Sequence, residues 1–202
     1  MTWQSHLLEY GKAIVLAVIM ALIIRSFVVQ AFHIPSGSMI PTFLEGDRVL
    51  VSKFSYGVRN PFNNKVLFGT GTPQRGDVVI FKAPKDPKMD FVKRVVGLPG
   101  ELLEIKDGKV YIDNQQVADP HGHYDGSSYT PTRDYGPVLV PDNQYFMMGD
   151  NRDFSNDSRS WGFVDSSLLR GKAWRLYWSW DSTEGVPFFD RLRFSRLGLR
   201  IQ

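Results

Sequence analysis

The sequence predicts a mainly β chain behind one apolar N-terminal helix. From Gly46 onward, short runs rich in Val, Ile, Phe and Tyr are separated by Gly, Pro, Asn and Asp, the pattern of strands joined by turns. Strands do not alternate with helical patterns, which argues against βαβ units. The N-terminal third opens instead on a long run of apolar residues.

That run begins at Ala13 and is unbroken to Ile24; after Arg25 and Ser26 it resumes at Phe27, Val28, Val29, Ala31 and Phe32. Ala13 to Phe32 makes 20 residues, and a helix needs ~20 to cross a bilayer. Arg25 opposes this reading. At mid-bilayer it costs about 2.5–3.5 kcal/mol, relieved if its stem reaches the headgroups. A removable secretory signal is a rival, with Lys12 in front and Val29-Gln30-Ala31 as a small-residue cleavage site. A buried core helix is another. A retained anchor is the expectation, because Arg25 intrudes before that cleavage site.

Beyond it, Arg48 to Phe54 alternates in polarity, Asp77 to Phe81 is a short apolar run, and Asp90 to Val96 is a further strand candidate. Leu102 to Lys106 and Lys109 to Ile112 flank Asp107-Gly108, a strong hairpin signal. Val138 to Val140 and Tyr145 to Met148 complete the strands. A short helix is expected at Ser166 to Arg170, capped by Asp165 and stopped by Gly171. Gly57 to Arg75 and Asp119 to Gly136 read as loops. Glu101 to Gln144 reads as a smaller lobe inserted into one core.

Bulk properties narrow the chemistry. At 202 residues and 43% apolar, the chain suits one domain, or one domain plus an anchor. A formal charge of +3 gives no case for nucleic acid. The absence of cysteine excludes a thiol nucleophile, disulfides and cysteine-ligated zinc. No HExxH is present, which speaks against a zinc protease of that type. His121-Gly122-His123 with Asp125 offers metal-ligand types, but a solvated loop is the better reading, and no metal or cofactor is expected.

Three stretches carry reactive groups. Ser38 lies in a turn bracketed by Pro35, Gly37 and Pro41, which can aim a hydroxyl and backbone N–H groups at one point. Taken alone, this is equally a flexible link. A serine nucleophile needs a base. His33 lies close in sequence but at the anchor's edge. Lysine serves only when neutral, and its free pKa is about 10.4. In a strand of period 2, Lys93 shares a face with Phe91 and Val95, while Arg94 shares the other with Val92 and Val96. One of the two cations is therefore expected to face the core, and only lysine readily loses its proton. The third stretch, Gly149 to Arg159, packs three acids and two arginines among polar residues. It reads either as a solvated loop or as a hydrogen-bonded knot, with Ser155 placed to orient a lysine amine.

Together these stretches resemble the bacterial type I signal peptidases. The matching motifs are IPSGSMIPT (Ile34 to Thr42), RGDVVIF (Arg75 to Phe81), DFVKRVVGLPGE (Asp90 to Glu101) and MGDNRDFSNDSR (Met148 to Arg159). They stand in the family's order, behind an apolar segment. The resemblance implies a core of coiled antiparallel β-sheet with a small inserted β lobe, preceded by one transmembrane helix. Residues 1–32 would hold the anchor and 33–202 the catalytic domain, with approximately 101–144 as the lobe. It further implies Ser38 as nucleophile, Lys93 as general base, Ser36 and the Ser38 N–H as oxyanion hole, and Ser155 as the group orienting Lys93. Arg94 with Asp150 and Arg159 with Asp157 would be structural ion pairs. Ile34 and Val92 would line shallow pockets for small side chains. Departures are modest: Phe154 stands where asparagine is common, and one membrane segment precedes Ser38 where some members have two.

The implied activity is removal of N-terminal signal peptides from exported proteins at the bacterial inner membrane. The catalytic domain would face outward, with precursor proteins and membrane lipid as partners and no nucleic acid. Rival functions are another serine–lysine peptidase, or a tethered β-domain that binds exported chains without cutting them. The tail from Phe188 to Gln202 alternates arginines with apolar residues and reads as a bulged strand or as a contact with anionic headgroups. Trp174, Trp178 and Trp180 are core or interfacial residues.

Overall fold

A computed structural model describes residues 3–59, 66–68, 71–124, 126 and 133–201. It opens with helix α1, Trp3–Phe27. Its outward residues from Ala13 to Ala21 are all apolar and all exposed. Among the described residues, no helix is long and apolar enough to cross a membrane.

Among the described residues thirteen strands follow: β1 (Val29–His33), β2 (Asp47–Ser52), β3 (Val58–Arg59), β4 (Val66–Phe68), β5 (Val78–Lys82), β6 (Asp90–Gly97), β7 (Leu102–Lys106), β8 (Lys109–Ile112), β9 (Gln115–Gln116), β10 (Tyr135–Leu139), β11 (Gln144–Met148), β12 (Val164–Asp165) and β13 (Leu169–Ser179). A single-turn helix, α2 (Ser158–Trp161), precedes β12. Seven strands form one antiparallel sheet in the order β1-β2-β13-β5-β6-β11-β12. A second sheet has the order β10-β7-β8-β9, and β3 pairs with β4. The chain is thus mainly β, and its large sheet is antiparallel throughout.

Local sequence explains much of this. Asp107 and Gly108 both take positive φ, 47° and 76°, as the tight β7–β8 turn requires. Three apolar clusters form the core. Ile34, Met39, Phe43, Val49, Val51, Val78 and Ile80 fill the first, on the β2–β13–β5 side. Leu103, Ile105, Val110, Val140 and Phe146 join the two sheets in the second. Val79, Phe81, Val95, Tyr145 and Met147 form the third. Phe81 is fully buried, with Phe91 edge-on at 6.3 Å and Trp161 at 6.0 Å; burying such a side chain contributes about 1.5–3 kcal/mol.

Several expectations are corrected. The apolar segment Ala13 to Phe32 is not one helix: α1 ends at Phe27, and Val29–His33 pairs along β2 from Val29↔Ser52 to His33↔Arg48. β-Branched and aromatic residues there fit a ladder once β2 supplies its edge. The helix expected at Ser166 to Arg170 is a single 3₁₀ turn, Ser166–Leu168. Asp165 does cap it, accepting from Ser167 N at 2.8 Å. Leu169 then enters β13, the longest strand, held between β2 and β5. Gly171 permits that approach, since a Cβ there would lie 2.3 Å from Ser52 O. The tail is not a bulged strand. It makes 3₁₀ turns at Phe188–Asp190 and Phe194–Arg196 before Ile201 N donates to Trp174 O at 3.0 Å. Residues 60–65 and 69–70 of the expected loop Gly57 to Arg75, residues 125 and 127–132 of the loop Asp119 to Gly136, and the Arg25 side chain lie outside the described residues.

Candidate active site

β6 lies inside the large sheet between β5 and β11, with Val79↔Lys93 and Met148↔Arg94 in register. Both sides of a central strand are covered, so both cations are buried: Lys93 is 4% exposed and Arg94 2%. The expectation that one of them faces the core understates this. The alternation decides what each meets.

Lys93 meets Ser38. Its Nζ lies 2.6 Å from Ser38 Oγ, a buried hydrogen bond between residues 55 apart in the chain. Ser38 sits in the 3₁₀ turn Gly37–Met39 and is 8% exposed. The Phe91 ring centroid is 6.0 Å from the amine. Burial lowers the Lys93 pKa from 10.5 to about 8, against the pull of Asp157 and Asp150, which favour the ammonium, and with a smaller push from Arg159. About a tenth of the molecules then hold a neutral amine at pH 7. Such an amine accepts the hydroxyl proton that a serine must lose to become a nucleophile.

Arg94 meets Asp150. Its Nε and Nη2 each bond one carboxylate oxygen at 2.7 Å, a two-pronged pair, and Nη1 donates to Gly76 O at 2.6 Å. Thr42 Oγ1 donates to the same carboxylate. The Gly149 to Arg159 stretch is the knot rather than the solvated loop. Asp150, Arg152, Asp153, Asp157 and Ser158 are 0–1% exposed, while Phe154, at 46%, and Asn156 face outward. Arg159 holds Asp157 through two bonds of 2.9 Å, and Asp157 accepts from Gly149 N at 3.1 Å. Ser155 is buried, but its Oγ has no hydrogen-bond partner, so the expected contact with Lys93 is absent here. Ser36 Oγ lies 3.5 Å from Ser38 Oγ at the exposed edge of the turn. Ile34 is 2% exposed within the first core cluster, and half-buried Val92 packs against that cluster.

Four groups at the site escape sequence reasoning. Asn151 donates from its backbone N to Ser38 O and from Nδ2 to Gly37 O, both at 3.2 Å. Arg152 forms a two-pronged pair with Asp119, one arm at 2.8 Å, and donates from Nε to Gly149 O at 3.0 Å. A Cβ on Gly149 would lie 2.4 Å from Ser38 O and 2.2 Å from Ser155 Oγ. Thr42 is the fourth. Asn151, Arg152, Gly149 and Thr42 stand inside the quoted motifs, which mark their stretches but not their partners; Asp119, in an expected loop, carries no local signal.

The family model for signal peptidase, peptidase S26, matches residues 7–178. The signal peptidase I of Pseudomonas fluorescens is 40% identical over 97% of this chain and 80% of its own length. That of Pseudomonas aeruginosa is 36% identical over 94% and 79%. The signal peptidase I P of Bacillus subtilis subsp. natto is 38% identical over 78% and 80%. A crystal structure of a signal peptidase I from Enterococcus faecalis is 31% identical, covers 50% of this chain and 96% of its own, and superposes with a TM-score of 0.43. The chain belongs to the signal peptidase family, peptidase S26, and is a serine endopeptidase of that type.

Proposed function

We propose that this protein removes N-terminal signal peptides from exported precursors, with Ser38 as nucleophile and neutral Lys93 as general base. The observation that carries the reading is the buried 2.6 Å bond between Lys93 Nζ and Ser38 Oγ, with burial lowering the amine's pKa. Lys93 takes the hydroxyl proton as Ser38 Oγ attacks the carbonyl before the scissile bond. The oxyanion is held by Ser36 Oγ and the Ser38 N–H. The amine, now protonated, delivers its proton to the leaving nitrogen, and an ester on Ser38 remains. Water then attacks the ester with Lys93 again accepting the proton, and Ser38 is regenerated. Ser155, with a buried unpartnered hydroxyl beside Gly149, is free to bond the amine once Ser38 Oγ turns to substrate. Ile34 and Val92 line shallow pockets that admit small side chains from alternate positions of an extended substrate.

The Arg94–Asp150 and Arg159–Asp157 pairs serve as frame. They bind β6, the Ser38 turn and the Gly149 loop into one buried unit. Helix α1 is the anchor. Its exposed residues from Ala13 to Ala21 are uniformly apolar, a surface that favours lipid over water. On this reading α1 holds the protein at the bacterial inner membrane, with residues 33–202 as the catalytic domain on the outer side and 101–144 as its smaller lobe.

The test is incubation of a signal-peptide-bearing precursor with detergent-solubilised protein, reading the new N-terminus by mass spectrometry. Cleavage after a small residue is expected, abolished in Ser38→Ala, Lys93→Ala and Lys93→Arg. Retained cleavage by folded Lys93→Ala would refute the assigned base.

A further inference from the structure

The catalytic serine is embraced by one side chain that the proposed mechanism does not use. Asn151 is 6% exposed and sits across the chain from the turn. Its backbone N–H donates to Ser38 O, and its Nδ2 donates to Gly37 O, each at 3.2 Å. These carbonyls belong to the two peptide units that flank the Ser38 α-carbon. The unit between Gly37 and Ser38 matters most. Its oxygen is the one Asn151 Nδ2 holds, and its N–H is the backbone donor assigned to the oxyanion. Because a peptide unit is planar, the C=O and the N–H point in opposite directions along one rigid plate. Fixing the oxygen fixes where the N–H aims.

Only one orientation of the Asn151 amide fits. Gly37 O is an acceptor, so Nδ2 must face it; Oδ1 then lies buried with no partner. A buried amide oxygen left unpaired is unfavourable. The bond from Nδ2 to Gly37 O therefore sets the side chain's orientation. Ile40 N also donates to Gly37 O, at 3.1 Å, so this oxygen accepts two bonds. Donation to a carbonyl polarises its peptide and strengthens the N–H on the other side as a donor.

We infer that Asn151 is a positioning residue for the oxyanion hole, setting the Gly37–Ser38 peptide plane so that the Ser38 N–H points at the developing oxyanion. This rests on the reading of Ser38 as nucleophile. Asn151 bonds two carbonyls of the turn, whereas the Lys93 amine bonds Ser38 Oγ. Removal of Asn151 therefore weakens binding of the tetrahedral state while leaving substrate binding and the Lys93 ionisation in place.

The experiment compares wild type with Asn151→Ala and the isosteric Asn151→Asp. Each is purified as the full chain in detergent, checked for folding by circular dichroism and thermal unfolding, and assayed on a precursor-derived peptide. A peptide aldehyde of the same sequence serves as the second probe, since its hemiacetal on Ser38 presents an oxyanion-like oxygen. Losing a whole oxyanion donor costs about 10²–10³ in turnover. Misaiming one is expected to lower kcat roughly tenfold to a hundredfold. KM should change little, aldehyde affinity should fall in parallel with kcat/KM, and the pH midpoint should stay where it is. Asn151→Asp should be the more damaged, because a carboxylate oxygen then faces Gly37 O. Should the Ala variant lose its fold, the space-conserving Asp variant carries the same comparison. Folded variants with wild-type kcat and aldehyde affinity would overturn the inference, as would a raised KM at unchanged kcat. Cleavage by Ser38→Ala, or a wild type blind to the aldehyde, would instead strike the nucleophile assignment beneath it.

Discussion

Replacing Lys93 with methionine should abolish activity yet stabilise the protein near neutral pH. The structure sets the size of the effect. Burial brings the amine from 10.5 to about 8; at 1.36 kcal/mol per pH unit, the ammonium in the folded protein costs about 3 kcal/mol relative to the unfolded chain. The native state therefore binds fewer protons than the unfolded state between pH 8 and 10.5. Wild-type stability rises with pH across that window, and the deficit is fully present below it. Methionine fills a similar volume without the charge, but it forfeits the 2.6 Å bond to Ser38, worth about 1 kcal/mol. Lys93→Met should then be more stable than wild type by about 2 kcal/mol at pH 7. The advantage should vanish near pH 10, where the remaining cost of deprotonation, about 1 kcal/mol, is matched by the lost hydrogen bond. Urea unfolding followed by tryptophan fluorescence, at pH 7 and pH 10 in the same detergent, measures both differences. A variant less stable than wild type at pH 7, or a difference that ignores pH, would refute the claim that a desolvated lysine sits at this site.

The same ionisation should govern catalysis. kcat/KM should rise close to tenfold per pH unit below about 8 and level off above it, and a flat profile from pH 6 to 9 would exclude Lys93 as the titrating base. Arg94→Leu leaves the fully buried Asp150 carboxylate without its cation; a loss of about 3–5 kcal/mol is expected, with Arg94→Leu/Asp150→Leu recovering part of it in denaturant titrations. Gly149→Ala drives a Cβ to within 2.4 Å of Ser38 O, so the Ser38 turn must shift. Stability should fall by about 1–3 kcal/mol, and turnover should drop further than that loss of folded protein accounts for.

Some features were readable from local pattern alone. The period-2 alternation of Asp90 to Val96 separates Lys93 from Arg94, and β6 keeps them on opposite faces with different partners. Asp107-Gly108 marks a hairpin because its two residues tolerate positive φ. Four motifs in order pointed to the family that matches residues 7–178. Each of these signals lies within a few residues of chain, where steric preference and polarity periodicity act directly.

Tertiary pairing decided the rest. Val29 to Phe32 reads as a continuation of an apolar helix until β2 offers it an edge, and Leu169 and Arg170 read as helical until β5 draws that segment into a ladder. The approach of Lys93 to Ser38 across 55 residues, the grip of Asn151 on Gly37 across 114, and the pairing of Arg152 with Asp119 have no local signature. Their partners meet only once the sheet is assembled. The burial of Lys93, and with it the lowered pKa that makes a lysine usable as a base, is likewise a property of the packed sheet, because desolvation depends on what surrounds a group in space rather than on its neighbours in sequence.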